Sequence, residues 1–211
     1  MTILNASRFD SLRRNELQWL PERGIGWYPV VDSPYDSTYW ERYRRMDDTD
    51  VGRRLTQARI HWVMTFYAGA ICDIGIGGGR FVSESGARGF DVNPDACSWL
   101  RARGSWQSPY EESVNAATFW DSLEHIHDPS PLLSNVRQWA FISLPVFEGP
   151  DHVLRSKHFR KDEHCWYFTE VGLIQFMLEH GFEMMGSSVM EQLAGREDIR
   201  SYAFRRIGRD G

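Results

Sequence analysis

The chain has 211 residues, a formal net charge of −5, and a composition that is 42% hydrophobic and 14% aromatic, with nine tryptophans. This length holds one domain of ordinary size plus an N-terminal appendage, and the acidic balance argues against a protein whose main task is to neutralise a nucleic-acid backbone. Cys72, Cys97 and Cys165 include no C-x-x-C pair, no segment approaches the length of an uninterrupted apolar membrane span, and the start carries Arg8, Asp10, Arg13 and Arg14; a reduced, soluble, cytoplasmic protein without export signal or membrane span is expected.

Residues 1–50 read as an aromatic-rich arm packed on a main domain, 51–211. Over the first 40 residues no period is clear: Pro21, Gly24, Gly26, Pro29 and Pro34 interrupt a series of Trp19, Trp27, Tyr28, Tyr35, Tyr39 and Trp40, and a detached linker would have little use for so many rings. Val51, Leu55, Ala58, Trp62 and Phe66 then fall at helical spacing behind Asp47-Asp48-Thr49-Asp50, whose charges and caps suit a helix N-terminus. The opposite face, with Arg53, Arg54 and Arg59, reads as solvated.

Next comes Ile71-Cys72-Asp73-Ile74-Gly75-Ile76-Gly77-Gly78-Gly79-Arg80. An apolar run hands over to a loop with glycine at four of five positions, which points to positive φ angles or to a ligand lying against bare backbone. The dinucleotide pattern G-x-G-x-x-G fails at Arg80 and Val82, and a P-loop would need Gly-Lys-Ser/Thr where Gly79-Arg80-Phe81 stands. About a dozen residues separate Gly79 from Asp91, so the first helix is expected to be clipped to Arg80–Ser85 before a short strand ending at Asp91. Asn93 and Pro94 supply a cap and a first-turn proline for a helix to about Arg103. Trp106-Gln107-Ser108-Pro109-Tyr110 is a second clipped stretch, and Ala116–Trp120 is a strand. Pro131 is expected to open a helix carrying Leu132, Leu133, Val136 and Trp139, followed by a strand over Ala140–Leu144. From 145 to 166 runs an insertion with no apolar period, rich in charge and histidine, that would emerge on the same rim as the glycine loop. Thr169 caps a helix to His180, Gly181 ends it, and Phe182–Val189 with Ile199–Ile207 read as a closing antiparallel pair.

Asp73-x-Gly75-x-Gly77-x-Gly79 resembles motif I of the class I S-adenosylmethionine-dependent methyltransferases. Gly89-Phe90-Asp91-Val92-Asn93-Pro94 and Thr118-Phe119-Trp120-Asp121-Ser122-Leu123-Glu124-His125-Ile126 resemble that family's second-strand acid and the loop after its fourth strand, in the right order. The resemblance implies an α/β, Rossmann-like, doubly wound fold with a mostly parallel seven-stranded sheet, an antiparallel closing strand and some helices shortened. It implies S-adenosylmethionine as cofactor: Asp73 at its amino end, Gly75, Gly77 and Gly79 as bare backbone, Asp91 at the ribose, Ser108 and Tyr110 at the adenine, and Val92, Asp121 and Ser122 as further cofactor-binding residues. Tyr35 and Tyr39 of the arm would reach the methionine end.

Asp121-Ser122-Leu123-Glu124-His125 places acids three apart beside an imidazole, which converge if the loop makes a helical turn, either as a divalent-ion site or as a base beside a carboxylate. It resembles the Glu-x-x-Glu-His of ubiquinone-pathway O-methyltransferases and of small-RNA 2′-O-methyltransferases, where such residues hold a metal, with aspartate here in the first place. A divalent metal is left open, and a zinc site from His158, His164 and Cys165 is not expected, because neighbouring His and Cys point apart. Glu124, His125 and His164 are the candidate catalytic residues. The function implied is methyl transfer to an oxygen or nitrogen of a small-molecule acceptor. The alternatives are a nucleic-acid methyltransferase, favoured by the basic insertion, and a catalytically silent cofactor-binding module, favoured by the shortened segments. Acceptor identity and oligomeric state are not encoded in these patterns.

Overall fold

A computed structural model of the chain describes residues 16–30 and 35–208; Arg8, Asp10, Arg13, Arg14 and Pro34, used above, lie outside them. In chain order the elements are β1 (Gln18–Leu20), β2 (Ile25–Trp27), α1 (Ser37–Asp47), α2 (Asp50–Phe66), β3 (Ile71–Ile74), α3 (Arg80–Ser85), β4 (Arg88–Phe90) and α4 (Pro94–Ala102). After them come β5 (Val114–Trp120), a 3₁₀ turn (Leu123–His125), α5 (Ser130–Ser134), β6 (Val136–Pro145), α6 (Pro150–Arg155), β7 (Trp166–Phe168), α7 (Glu170–Glu179), β8 (Phe182–Ser188), α8 (Met190–Leu193) and β9 (Ile199–Arg206).

The main sheet has strand order β4-β3-β5-β6-β9-β8. Pairings β3–β4, β3–β5 and β5–β6 are parallel, while β9 runs antiparallel to both β6 and β8. Alternation along the buried strands divides the core between the two faces. Ala116, Trp120, Phe141 and Ala203 pack with Val63 of α2 and Phe81 of α3. Ala117, Phe119, Ala140, Ile142 and Phe204 pack with Leu132 and Leu133 of α5 and Leu173, Phe176 and Met177 of α7. Helices therefore cover both faces, as a doubly wound sheet requires.

Six strands pair in this sheet where seven were expected. The missing one survives as a single parallel bridge, Trp106 to Gly89, held by Gly89 N–H donating to Ser105 O (2.8 Å) and Gln107 N–H to Gly89 O (3.0 Å). Pro109 has no N–H with which to extend that ladder. The clipped first helix falls on Arg80–Ser85, the span its residue count predicts, and Gly86 at φ 72° closes it. Asn93 and Thr169 cap α4 and α7 with their side chains, accepting from Asp95 N–H and Gly172 N–H.

Two expectations change. The helix after Pro131 stops at Ser134, and Val136 and Trp139, read as helical, belong to β6, where they pair with Val114 and Ala116 of β5. Their spacing mimics a helix face, but pairing between two strands on either side overrides local preference. The arm and the insertion, read as irregular, contain regular structure. β1, β2 and β7 form a three-stranded antiparallel sheet, and α6 lies within the insertion. Helix α1 is capped by Asp36, which accepts from Tyr39 N–H at 2.8 Å. Arg80 anchors its C-terminal end over the glycine loop by donating to Asp47 O (2.7 Å) and Asp48 Oδ1 (2.6 Å).

Two buried charge arrangements set the stability. Glu191 of α8 is fully buried and accepts from Arg59 Nε of α2 (2.8 Å) and Arg196 Nη1 (2.6 Å). Removing one partner of such a group leaves charge without compensation, so Glu191→Ala is expected to lower stability in denaturant melts by about 3 kcal/mol. Asp73 of β3 faces Thr118 of β5 in register and accepts from its hydroxyl at 2.6 Å. Burial pushes its carboxyl up to about 7 despite that bond. Between about pH 4 and 7 the folded chain keeps this proton and the unfolded chain has lost it, so the stability the group contributes is full at low pH and disappears as pH rises through 7. Asp73→Asn is expected to flatten the fall in unfolding free energy across that window, measured by urea melts at pH 5 and pH 8.

Candidate functional site

The glycine loop adopts the conformation its composition demands. Gly75, Gly77 and Gly79 have φ of 75°, 55° and 84°, the left-handed region that costs other residues strain. Close packing adds a second demand, since a Cβ on Gly75 would lie 2.7 Å from Ser122 Cβ, and one on Gly78 would lie 2.4 Å from Asp47 Oδ2. Beyond the loop, Asp91 at the end of β4 accepts from Ile76 N–H with Oδ2 (2.9 Å) and from Asn93 N–H with Oδ1 (2.8 Å). One carboxylate thus ties the two loops together. Burial raises its proton affinity and these backbone donors oppose that rise.

A cleft of about 700 Å³ opens over this junction. Gly75, Gly77, Asp91, Val92 and Tyr110 are among the residues that line it, with Tyr110 edge-on to Phe90 at 5.4 Å between ring centroids. Of the expected cofactor residues, Asp73 lies beneath the cleft, buried against Thr118, and Gly79 packs toward Trp99. Ser108 is buried outside the cleft lining, its carbonyl accepting from Glu111 and Glu112 N–H.

Tyr35, Tyr39, Trp40 and Tyr43 roof the cleft. Tyr35 Oη lies 3.2 Å from His125 Nδ1, and Tyr39 Oη donates to Tyr43 Oη at 3.2 Å. Tyr43 was missed in the sequence; its signal is Asp36 as a cap with Tyr39, Trp40 and Tyr43 at helical offsets behind it.

Asp121, Ser122 and His125 of the turn after β5 also line the cleft. Asp121 has φ 54°, and its Oδ2 accepts from Arg196 Nη1 (2.7 Å) and Arg59 Nη2 (3.2 Å). Those guanidinium groups outweigh desolvation and hold its carboxyl below the usual carboxylate range. Ser122 Oγ donates to Ile74 O at 2.5 Å, fixing this turn to the start of the glycine loop. A helical turn does form over Leu123–His125, yet the acids do not converge. Asp121 turns to the arginines, and Glu124 turns into the protein, 1% exposed, with no hydrogen-bond partner on either carboxylate oxygen. Desolvation, with the Asp121 charge adding to it, pushes its carboxyl well above the ordinary range.

His164, from the insertion, lies beside this turn, next to the two residues it was grouped with as a catalytic candidate. Its ring meets that of His125 edge-on, 4.6 Å between centroids. One candidate ligand atom from each of Glu124, His125 and His164 lies within 4.8 Å of the others. Burial pushes the His125 imidazole down to about 4 and His164 well below its ordinary value, so both rings are neutral at pH 7. A carboxyl group, which must release its proton to bind, and two neutral imidazoles are ligand types that suit a divalent ion. His158 is turned elsewhere, its Nε2 against Glu197 O at 3.0 Å, and Cys165 Sγ faces His125 O. Of the three candidate catalytic residues, only His125 lines the cleft; Glu124 and His164 stand behind it.

Among the described residues no helix is long and apolar enough to cross a membrane. The fold is similar to that of magnesium protoporphyrin IX methyltransferase from Synechocystis, solved with bound S-adenosylhomocysteine (15% identity, 82% of this chain and 96% of that one, TM-score 0.54). It is also similar to 1,6-didemethyltoxoflavin-N1-methyltransferase from Burkholderia thailandensis, solved with 1,6-didemethyltoxoflavin and S-adenosylhomocysteine (16%, 92% and 100%, TM-score 0.57). A third likeness is to a structure of the Haloferax volcanii Trm112 methyltransferase activator in complex with a methyltransferase (11%, 85% and 100%, TM-score 0.62). No curated protein matches the sequence. A family model for a methyltransferase domain matches residues 42–186, from within α1 to within β8, and the chain belongs to that methyltransferase-domain family.

Proposed function

We propose that the protein transfers the methyl group of S-adenosylmethionine to an oxygen or nitrogen of a small-molecule acceptor. The observation that carries this reading is that the Gly75 and Gly77 backbone, Asp91 and His125 line one and the same cleft. S-adenosylmethionine supplies a methyl on a sulfonium, an electrophile that needs an aligned nucleophile and little covalent help from the protein.

Each wall has a role in this reading. The left-handed glycines let a ligand approach bare backbone, and the acceptor capacity left on Asp91 suits a pair of ribose hydroxyls. Tyr110 offers a ring face or edge to the adenine. At the far end His125 is neutral, with a lone pair able to take a proton from an acceptor group. The roof of Tyr35, Tyr39, Trp40 and Tyr43 excludes water and narrows the mouth, which supports reading the segment before residue 51 as an arm that closes the site. A roofed cleft in a chain of net charge −5 favours a small acceptor over a nucleic acid, and the porphyrin and toxoflavin precursors in the names of the fold neighbours are small molecules. The six-residue α3 still delivers the glycine loop and Asp91 to one cleft, which supports an active enzyme over a silent module.

Calorimetry should give micromolar binding of S-adenosylhomocysteine and none of NAD. Asp91→Ala should weaken that binding by about 10- to 100-fold, as loss of hydrogen bonds to a charged group does. Because Asp91 also ties two loops, Asp91→Asn and a melting curve accompany it; unchanged affinity in both folded variants would remove Asp91 from the site. His125→Gln should leave cofactor affinity within about twofold and lower kcat on an acceptor found by screening by about 10²- to 10⁴-fold.

A further inference from the structure

We propose that the acceptor is an uncharged, planar aromatic amine, methylated on its nitrogen and bearing no carboxylate or phosphate. This inference rests on the methyl-transfer reading and narrows it, from the charges and rings of the cleft wall. No lysine or arginine lines the cleft among the described residues, whereas Asp91, Asp121 and Asp128 do. An anion entering such a cleft gives up its hydration and meets carboxylates in place of a counter-charge. Anionic acceptors are thus turned away by repulsion as well as by the lack of a partner.

The guanidinium groups nearby are committed elsewhere. Arg59 and Arg196 share Asp121 and Glu191, and Arg160 pairs with Glu163. Exposed Arg42 lies over the rings of Tyr39 and Tyr43, 4.9 and 5.2 Å from their centroids, and is not part of the cleft wall. Asp91 and Asp128 accept from the backbone N–H groups of Ile76, Asn93 and Ser130, and neither pairs with a cation among the described residues. The cofactor's own carboxylate has a different partner in this arrangement. The N–H groups of Gly77 and Gly78 donate to no other group among the described residues, and successive backbone donors in a turn suit an anion.

Rings supply much of the remaining wall. Tyr35 and Tyr39 meet edge-on with 5.1 Å between centroids, and Tyr39 and Tyr43 lie tilted at 4.7 Å with their hydroxyls bonded to each other. Trp120 lines the cleft as well. Such surfaces are matched by a planar ring.

Nitrogen follows from what the wall lacks. A hydroxyl becomes a strong nucleophile by losing its proton, which calls for a base matched to it or a cation beside the oxyanion. The cleft wall holds no cationic side chain among the described residues, and burial pushes the His125 imidazole down to about 4. An aromatic amine is uncharged at pH 7 and already carries its lone pair. That pair forms the new N–C bond while the C–S bond breaks and leaves its electrons on sulfur. The positive charge passes from the sulfonium to the nitrogen. The methylated nitrogen is then acidic enough to give its proton to a weak base, which His125 is, and the proton goes on to solvent.

The test uses the full chain at pH 8 and three probes on one ring system: 6-aminoquinoline, 6-hydroxyquinoline and quinoline-6-carboxylate. Calorimetry on the chain saturated with S-adenosylhomocysteine should show the amine binding at least about tenfold more tightly than the carboxylate. With S-adenosylmethionine, mass spectrometry should find the N-methylated amine and no O-methylated phenol. Tyr35→Arg sets a cation in the roof, where Tyr35 Oη lies 3.2 Å from His125 Nδ1; it should narrow the gap between amine and carboxylate by about tenfold, with a melting curve to check its fold. S-adenosylhomocysteine binding without any probe tests the methyl-transfer reading by itself, and its absence would sink that reading. A chain that binds S-adenosylhomocysteine yet takes the carboxylate as tightly as the amine, methylates the phenol as fast, or binds none of the three would overturn the amine acceptor and leave methyl transfer standing. An unchanged gap in folded Tyr35→Arg would overturn it too.

Discussion

The rim of this molecule depends on the backbone of one residue. Cys165 N–H donates to Glu124 O, and Cys165 O accepts from Tyr28 N–H, both at 2.8 Å. Through these two bonds the turn after β5, the insertion before β7 and the arm strand β2 become one layer across the carboxyl ends of the parallel strands. The side-chain consequences follow from strand-like alternation. Residue 164 faces the turn and contributes an imidazole to the buried cluster, while Cys165 packs into the core with its thiol against His125 O. Trp166 extends the layer, its indole N–H donating to Ile126 O at 2.9 Å.

Charge is partitioned across the same rim. Asp121 and Glu124 are three residues apart and close enough for the ionisation of one to oppose that of the other. Two arginines, themselves anchored by buried Glu191, neutralise Asp121, whereas Glu124 has no cation of its own among its hydrogen-bond partners. The pair therefore holds two carboxyl groups with opposite tendencies within one short turn, a pattern more often found where a site performs chemistry than where it merely packs. The single turn of α8, between β8 and β9, carries Glu191 to this network.

Local signals in the sequence were strong wherever a backbone rule operates alone. Counting residues between Gly79 and Asp91 set the length of α3, Asn93-Pro94 and Thr169 marked two helix starts, and the left-handed glycines followed from composition. What the sequence hid was decided by partners distant along the chain. Asp121 meets arginines 62 residues before it and 75 after it, so its withdrawal from the acid cluster has no local sign. His164 is a catalytic candidate by residue type alone, and its place beside Glu124 and His125 is set by the distant bond from Cys165 N–H to Glu124 O. Val136 and Trp139 fit a helix by spacing and a strand by pairing, and Ser108, assigned to the adenine by position alone, is buried where the bridge at Trp106 draws its segment inward. The cofactor end of the cleft, built on one loop and one strand end, was thus legible; the opposite end, assembled from four separate segments, was legible only in residue types.

The two ends meet in one cleft because Ser122 Oγ bonds Ile74 O while Gly75 leaves no room for a side chain between them. The glycine loop and His125 therefore line the same cleft. The most direct measurement of this arrangement is a crystal structure of the chain saturated with S-adenosylhomocysteine. The nucleoside is expected between Tyr110 and Asp91, the amino-acid end along Gly75–Gly77, and the sulfur turned toward His125 under the tyrosine roof. A well-ordered chain whose cleft stays empty at saturating ligand, or holds the nucleoside at the His125 end, would contradict it.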